Sequence, residues 1–543
     1  MKAPPIDRWD RETTLVGQIA AGASLLAFLV YFRRGDLLLY GDAVAHINIA
    51  RRVFDSRTPG LLQLGTVWLP LPHLLMIPFL LSDSAWRTGI GGSIPSMVAY
   101  VLGTVGIFRL VRGSLSFGPT PDSRSRIAAW CAAAIYAANP NLIYLQTTAM
   151  TESLYLALFV WAVVHFSEFV RVADTPQIAN SSLWKCGLCL AGACWTRYDA
   201  WLLTIAMCLP ILLVAMQSKA RFRGLRKGLA TFLLLAAATP ALWLAYNRIV
   251  YRNPFEFANG PYSARAIEKK NAMPSHPGSH DLPVAFSFFL KSAELNMAEG
   301  DWGRGWIVLL VAGILSILMF DRQFWPFFFL LAPVPFYVIS VAYGGVPIFL
   351  PAWWPFSSYN ARYGLEMLPA FAAFGALVPY LLVDMARKDS AKLATAVAIM
   401  IPLAASYAFV WRSQPICYRE ASVNSRTRIA FETELASNLN LLPHDSTLLM
   451  YSGDHVGAIQ KAGIPLRRVI NEGNHRPWEK PADQNGLWER ALADPHQYVD
   501  YVVAMEGDPV ALGVNRHDLA SMVVVHTIGQ PAATIYWTQR PNR

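Results

Sequence analysis

The sequence has little charge. Of its 543 residues, 15% are Asp, Glu, Lys or Arg, whereas an ordinary globular domain carries about 25%. Hydrophobic residues make up 54% of the chain, and apolar runs of about 20 residues, the length that crosses a bilayer, recur along it. This composition excludes a protein that is solvated by water alone. We therefore expect a polytopic α-helical membrane protein.

The sequence also lacks the motifs of metal-binding and nucleotide-binding domains. Five of its six cysteines lie in or beside apolar runs: Cys131, Cys186, Cys189, Cys194 and Cys208. Cys186 and Cys189 form a Cys-x-x-Cys pair, but no second pair or histidine cluster completes a zinc site. No Gly-x-Gly-x-x-Gly or Walker loop follows the last apolar run, so we expect no nucleotide site there.

Basic residues are in excess, giving a net charge of +10, but they do not form one patch. They cluster between apolar runs, at 109–126, 219–227 and 387–392 and at the N-terminus, where Lys2 and Arg8 lie. This distribution is typical of cytoplasmic loops of membrane proteins. We therefore expect membrane lipid as a partner and no nucleic acid.

Eleven apolar runs fit membrane spans: about 15–32, 94–111, 127–146, 151–170, 183–196, 200–216, 229–250, 305–319, 324–343, 363–383 and 392–412. The first run ends in Arg33-Arg34 rather than in a small-residue cleavage site, so no cleavable signal peptide is expected. The run 67–82 is short and contains three prolines, which favours a broken or re-entrant segment. This count places the basic loops and the N-terminus in the cytoplasm.

The predicted topology divides the chain into a transmembrane domain, 1–412, and an extracytoplasmic domain, 413–543. Outer loops 33–93 and 251–304 belong to the first domain. The second contains five short predicted strands, at 447–451, 467–470, 498–505, 521–527 and 533–538. Helical stretches near 430–440, 456–462 and 484–493 alternate with them, which indicates a small α/β domain.

A stretch in the first outer loop, from Tyr40 to Gln63, carries the first candidate site. If it is helical, Asp42 and His46 lie four residues apart and share one face. A carboxylate and an imidazole where the chain leaves the membrane suit proton transfer or phosphate handling. The alternative is an interfacial helix on which both side chains are simply solvated.

Further polar residues lie on the same predicted side of the membrane as Asp42 and His46. Glu152 follows a turn at a membrane boundary, where it either caps the next helix or takes part in a site. Arg197 and Asp199 form either a self-neutralising turn or a site for a lipid phosphate. Arg362 precedes Tyr363, a pair that could anchor the chain at the interface or hold a phosphate beside an aromatic ring. The polar loop 251–304 either covers a site or is a plain external loop.

These stretches resemble the C-type, polyprenyl-phosphate-dependent glycosyltransferases, and most of all the protein O-mannosyltransferase and aminoarabinose-transferase group. The matching residues are Gly41–His46 with Ala50-Arg51, Trp68–His73, Thr151–Ser153, Thr196–Asp199 and Asn360–Tyr363. The resemblance covers most of residues 15–412 and implies a GT-C-like fold. One departure is that Asp42 is followed by Ala43, where protein mannosyltransferases have two adjacent acids. The second acid is then Asp55 or Glu152, or is absent, and a divalent metal ion is left open.

The resemblance implies inverting transfer of a sugar from a polyprenyl-phosphate donor to a glycan, lipid or protein acceptor outside the cytoplasmic membrane. Asp42 is the implied general base, with His46 and Glu152 as the other implied catalytic residues. The implied substrate-binding residues are Arg51, His73, Arg197, Asp199, Asn360, Arg362 and Tyr363. Two alternatives are a transporter or flippase of lipid-linked sugars and a membrane scaffold that presents the C-terminal domain. Transporters usually have charges buried in mid-span and inverted repeats, neither of which is evident in the sequence.

Overall fold

The computed structural model describes residues 9–116, 122–266, 276–320, 322–346, 348–350, 353, 360–384, 389–474 and 485–539. Four of the basic residues used to predict the topology lie outside these ranges: Lys2, Arg8, Arg387 and Lys388. The cytoplasmic position of those segments therefore remains a prediction from the sequence.

Helices make up most of the described chain. The α-helices before the C-terminal sheet are α1 (Arg11–Arg34), α2 (Gly41–Arg52), α3 (Leu71–Met76), α4 (Asp83–Thr88), α5 (Ile90–Leu115), α6 (Ser123–Ala137), α7 (Pro140–Leu145), α8 (Glu152–Val172), α9 (Pro176–Cys194), α10 (Asp199–Met216), α11 (Lys219–Tyr251), α12 (Glu256–Asn259), α13 (Leu282–Met297), α14 (Gly300–Phe320), α15 (Pro333–Tyr343), α16 (Leu368–Asp384), α17 (Asp389–Ser413) and α18 (Ile416–Leu439). Short 3₁₀ helices occupy Asp36–Leu38, Leu61–Gln63, Ile77–Leu80, Arg322–Leu331 and Arg362–Met367.

Nine helical segments of the described chain are long and apolar enough to cross a membrane. They are Arg11–Arg34, Ile90–Leu115, Glu152–Val172, Asp199–Met216, Lys219–Tyr251, Gly300–Leu318, Phe324–Tyr343, Arg362–Val383 and Ser390–Leu439. Each overlaps one of the eleven predicted spans. The polytopic helical fold class is thereby confirmed.

The other two predicted spans and the run 67–82 are also helical. The predicted span 127–146 is divided into α6 and α7 at Pro140, which begins α7 because its missing N–H is not needed at that position. The predicted span 183–196 corresponds to α9. The apolar helix in 67–82 covers only Leu71–Leu80, which is shorter than a bilayer requires.

Helix α8 is the most buried of these nine segments. Within its most apolar 18 residues 83% are buried, whereas the value for α1 is 22%. Helix α5 packs tightly against α8, because a Cβ atom on Gly106 would stand only 2.8 Å from Val160 Cγ1. Glu152, the first residue of α8, therefore lies at the end of the most buried span. Helix α1, by contrast, has most of its residues exposed.

The C-terminal part contains a five-stranded sheet, and all five predicted strands are confirmed. They are β1 (Leu448–Met450), β2 (Val469–Ile470), β3 (Tyr501–Met505), β4 (Ala520–Val525) and β5 (Ala533–Trp537), in the order β2-β1-β3-β5-β4. The first three are parallel and β5 is antiparallel to both β3 and β4. Helices α19 (Val456–Ala462), α20 (Leu487–Ala493), α21 (Pro495–Tyr498) and α22 (Pro509–Gly513) connect them, with a 3₁₀ helix at Leu466–Arg468.

The two predicted outer loops are largely folded. The first, 33–93, contains α2, α3 and α4, and Asp42 and His46 indeed lie on one helix, α2. The second, 251–304, contains the 16-residue helix α13. Residues 267–275 of this loop lie outside the described ranges.

Candidate active site

Arg362 stands among carboxylates that come from distant parts of the chain. Its Nη2 donates to Asp42 Oδ2 at 2.6 Å, and its Nη1 donates to Glu420 Oε1 at 2.8 Å. Glu152 Oε1 lies 3.4 Å from its Nε. The first predicted outer loop, helix α8 and helix α18 thus meet at one guanidinium group.

Helix α13 holds the segment that carries Arg362. Ser292 Oγ and Asn296 Nδ2 both donate to the carbonyl oxygen of Ala361 at 2.7 Å. The N–H of Gly364 donates back to Ser292 Oγ at 3.1 Å. A Cβ on Gly364 would meet backbone atoms of Ser292 at 2.2 Å, so this close approach requires glycine. Part of the loop 251–304 therefore positions the site.

Arg197 stands among a second set of carboxylates. Its Nε lies 3.2 Å from Glu366 Oε1 and 3.3 Å from Asp199 Oδ2, and its Nη1 lies 3.5 Å from Glu152 Oε1. Its Nη2 donates to the hydroxyl of Tyr337, which in turn donates to Asp199 Oδ2 at 3.2 Å. Glu152 therefore contacts both arginines and joins the two sets into one cluster.

Three of the five carboxylates stand at helix N-termini. Asp42 is in the first turn of α2, and Glu152 and Asp199 are the first residues of α8 and α10. The partial positive charge at a helix N-terminus stabilises a carboxylate there. Among the described residues, Glu152 makes no capping hydrogen bond to the backbone of α8, and its place in a functional site stays a prediction.

The five carboxylates differ in their exposure to solvent. The Asp42 side chain is 36% exposed, whereas those of Glu152, Asp199, Glu366 and Glu420 are at most 2% exposed. A molecule that approaches the cluster from solvent therefore meets Asp42 before any other carboxylate.

The fold that carries this cluster is also that of a solved enzyme structure. ArnT from Cupriavidus metallidurans in the apo state superposes with a TM-score of 0.58 at 12% identity, over 97% of this chain and 98% of ArnT. The chain has the fold of ArnT. ArnT bound to undecaprenyl phosphate superposes with a TM-score of 0.55 over the same shares. No protein-family model and no curated protein matches the sequence.

Within this ArnT-like fold, His46 contacts His73. His46 Nδ1 and His73 Nε2 lie 2.8 Å apart, and the His46 ring lies 4.9 Å from that of Trp68. Burial lowers the pKa of His46 to about 4. Burial also lowers the pKa of His73. Both imidazoles are therefore neutral near pH 7, and one of them donates its N–H to the other. The structure brings His46 of α2 and His73 of α3 together.

Arg51, a predicted substrate-binding residue, lies elsewhere on α2. It pairs with Asp55 at 2.8 Å and with Asp83 at 2.5 Å, and its guanidinium lies over the Trp86 ring. Asp55 is buried and also pairs with Arg467 of the C-terminal part. Of the two candidates for a second acid, the structure brings Glu152 to Asp42 and Arg362, and Asp55 to the other ion-pair group.

Two further predicted residues, Asn360 and Tyr363, line the Arg362 group. Arg362 Nη1 donates to Asn360 Oδ1 at 3.2 Å. The centroid of the Tyr363 ring lies 5.1 Å from Arg362 Cζ and 5.8 Å from Arg197 Cζ. The ring contributes a cation–π contact to each arginine.

The carboxylates surround guanidinium groups rather than a common centre. Among the residues that the structure describes, no group of three or more His, Cys, Asp or Glu side chains could hold a metal ion. The side chains therefore do not fit the divalent metal ion that the sequence left open, and we derive no step through one.

The sequence analysis missed two carboxylates of the cluster. Glu366 lies inside an apolar run, and an ionisable group there is a signal for a functional position. Glu420 gave no such signal, because it follows the last predicted span in a polar segment. Its Oε2 accepts the N–H groups of Ala361 at 2.6 Å and Arg362 at 3.1 Å, so it fixes both the backbone and the guanidinium of the site.

Proposed function

We propose that the protein is a membrane glycosyltransferase. It moves a sugar from a polyprenyl-phosphate donor to an acceptor hydroxyl or similar group on the outer face of the cytoplasmic membrane, with inversion at the anomeric carbon. The observation that carries this proposal is the exposed Asp42 carboxylate, held 2.6 Å from Arg362 above four buried carboxylates. The shared fold supports it, since one ArnT structure contains undecaprenyl phosphate.

Asp42 is the general base in this proposal. Its free oxygen takes the proton from the acceptor hydroxyl while the acceptor oxygen attacks the anomeric carbon. The new C–O bond forms as the bond between that carbon and the phosphate oxygen breaks, and the electron pair leaves with the polyprenyl phosphate. A positioned base of this kind contributes about 10²–10⁴-fold to the rate. The hydrogen bond from Arg362 to the other carboxylate oxygen fixes the orientation of Asp42.

Arg362 is the group that meets the negative charge on the departing phosphate. Its side chain is 13% exposed and stands next to the exposed acid. The Tyr40 and Tyr363 rings lie 5.3 and 5.1 Å from its guanidinium carbon, and Tyr363, the less buried of the two, is the one available to the sugar or the first isoprenoid unit. Arg197 is enclosed by Glu152, Asp199 and Glu366 and acts by holding them in place.

The test is sugar transfer by purified protein in lipid nanodiscs from radiolabelled polyprenyl-phosphate sugars. We expect wild-type protein to form a glycosylated product from at least one donor, with the anomeric configuration inverted by NMR. Retained configuration would contradict direct attack by the acceptor. Protein-dependent movement of the labelled lipid across vesicles, with no product from any donor or acceptor, would contradict the transferase and support the transporter.

A further inference from the structure

A cavity of about 310 Å³ lies apart from the carboxylate cluster, between the end of α1 and the C-terminal part of the chain. Phe32 and Leu38 line it on one side, Arg87 of α4 on another, and Arg428, Glu432 and Lys461 of α18 and α19 on a third. Its volume is at the lower end of the range of about 300–1,000 Å³ that is usual for ligand sites. The size fits a headgroup rather than a whole lipid.

The charges that line this cavity are mainly positive. Arg428 is compensated by Glu432, at 2.8 Å, and donates to the backbone oxygen atoms of Leu38 and Leu39. Lys461 lies 3.9 Å from the same carboxylate. Three cationic side chains thus face one carboxylate, and the excess positive charge favours an anionic ligand.

Two cationic groups remain to bind such a ligand. Arg87 is exposed, packs its Nε and Cζ beside Gly463 and donates through Nη2 to the Lys461 carbonyl oxygen at 3.3 Å. Lys461 Nζ donates to Thr433 Oγ1 at 2.9 Å and to the carbonyl oxygen of Ile429 at 3.3 Å, which leaves one of its three N–H groups for a ligand. A guanidinium and an ammonium group on adjacent helices are suited to hold the oxygen atoms of one phosphate.

The cavity lies beside the end of α1, one of the helices long and apolar enough to cross a membrane. Helix α1 crosses the membrane and ends at Gly35, whose φ of +76° terminates it. Phe32 is 38% exposed at the rim, and Leu26 and Leu29 continue an exposed apolar face down the same helix. A ligand in the cavity therefore has cations around its polar end and a lipid-facing helix beside its apolar end.

We propose that this cavity binds the headgroup of an anionic phospholipid. The lipid phosphate is held by Arg87 and Lys461, the glycerol lies against Phe32 and Leu38, and the acyl chains follow α1. The bound lipid joins α1 and α4 to α18 and α19, and so ties the membrane part to the C-terminal part. The binding does not depend on sugar transfer.

The test is binding of phosphatidylglycerol and phosphatidylcholine to delipidated protein in detergent, followed by native mass spectrometry. The double variant Arg87→Gln/Lys461→Gln removes both cations, and Arg33→Gln removes a cation at the same depth on α1 that does not line the cavity. We expect wild type and Arg33→Gln to prefer phosphatidylglycerol. The double variant should lose this preference by about thirtyfold, because each cation near a membrane surface contributes about fivefold.

Three results would overturn the proposal. They are an equal affinity of wild type for both lipids, an equal loss in Arg33→Gln, and displacement of the lipid by millimolar inorganic phosphate, which would mean that the site takes free phosphate. If the double variant fails to fold, a photoreactive phosphatidylglycerol analogue on wild type replaces it. Crosslinks at 32–38 or 456–462 support the proposal, and crosslinks confined to other segments contradict it.

Discussion

The two arginines of the cluster have similar partners and different surroundings. Each contacts three carboxylates, and they share Glu152. Around Arg197 every carboxylate is at most 2% exposed, whereas Arg362 holds Asp42, which is 36% exposed. We propose a division of roles on this ground: Arg362 orients the acid that a substrate can reach, and Arg197 holds the buried acids in place. The predictions below test this division.

The largest effect on stability is expected from Arg197→Ala. The substitution leaves Glu152, Asp199 and Glu366 buried without their common cation, and breaking one side of a buried ion pair costs about 3–5 kcal/mol. We expect the free energy of unfolding, measured by SDS titration in mixed micelles, to fall by that amount.

The matched control for Arg197 is Arg304→Ala, which removes an arginine that is 79% exposed and pairs with Asp301, which is 94% exposed. An exposed pair contributes about 0–1 kcal/mol, so this variant should unfold almost as wild type does. Equal losses in the two arginine variants would contradict the structural role of Arg197.

An effect of intermediate size concerns the pH dependence of stability at the histidine pair. The pKa of His46 is lowered by burial from 6.5 to about 4, so the unfolded state binds the proton more tightly. The stability that neutral His46 contributes to the folded state is therefore complete above pH 6.5 and is lost as the pH falls toward 4. Between pH 7 and 5 this amounts to about 2 kcal/mol.

His46→Gln should therefore make the protein less sensitive to acid. The difference in unfolding free energy between pH 7 and 5 is expected to be about 2 kcal/mol smaller than in wild type, in the same SDS titration. His444→Gln, which replaces an exposed histidine, is the control. A wild-type pH dependence in His46→Gln would mean that His46 takes up its proton as readily in the folded state as in the unfolded state.

The smallest effect is expected from Glu366→Gln. Both carboxylate oxygens of Glu366 are buried without a hydrogen-bond partner among the described residues, and their contact is the ion pair with Arg197. The cluster has five carboxylates and two guanidinium groups. Removing the charge of Glu366 therefore relieves its repulsion by the other carboxylates as well as removing its attraction to Arg197. The thermal midpoint in detergent should change by less than the equivalent of about 1 kcal/mol. A loss of 3 kcal/mol or more would mean that Arg197 needs all three acids.

The sequence predicts the helices and strands better than it predicts the carboxylate cluster. Apolar runs and basic loops indicate the spans, and the five C-terminal strands overlap the five short strands predicted from the sequence. The break at Pro140 was missed, because an apolar run of about 20 residues continues through it. The helical content of the loop 251–304 was missed too, since α13 is too short to be taken for a span.

The site could be predicted where one short segment carries it and not where distant segments meet. Asp42, Glu152, Arg197 and Arg362 each lie at the end of an apolar run, so their common side follows from the topology. The pairing of Arg362 with Glu420 depends on how α18 packs back on the membrane part, and no local pattern encodes that. For the same reason the sequence assigned Arg51 to the substrate and the structure places it with Asp55 and Asp83.

The most direct test of the account compares Asp42→Asn with Asp301→Asn in the sugar-transfer assay. Asp301 is 94% exposed in an i,i+3 pair with Arg304, so its substitution removes an acid from the same predicted side without touching the cluster. The account predicts that Asp42→Asn lowers kcat by about 10²–10⁴-fold at unchanged unfolding free energy, and that Asp301→Asn has wild-type activity. Wild-type activity in a folded Asp42→Asn variant would contradict the assignment of Asp42 as the base.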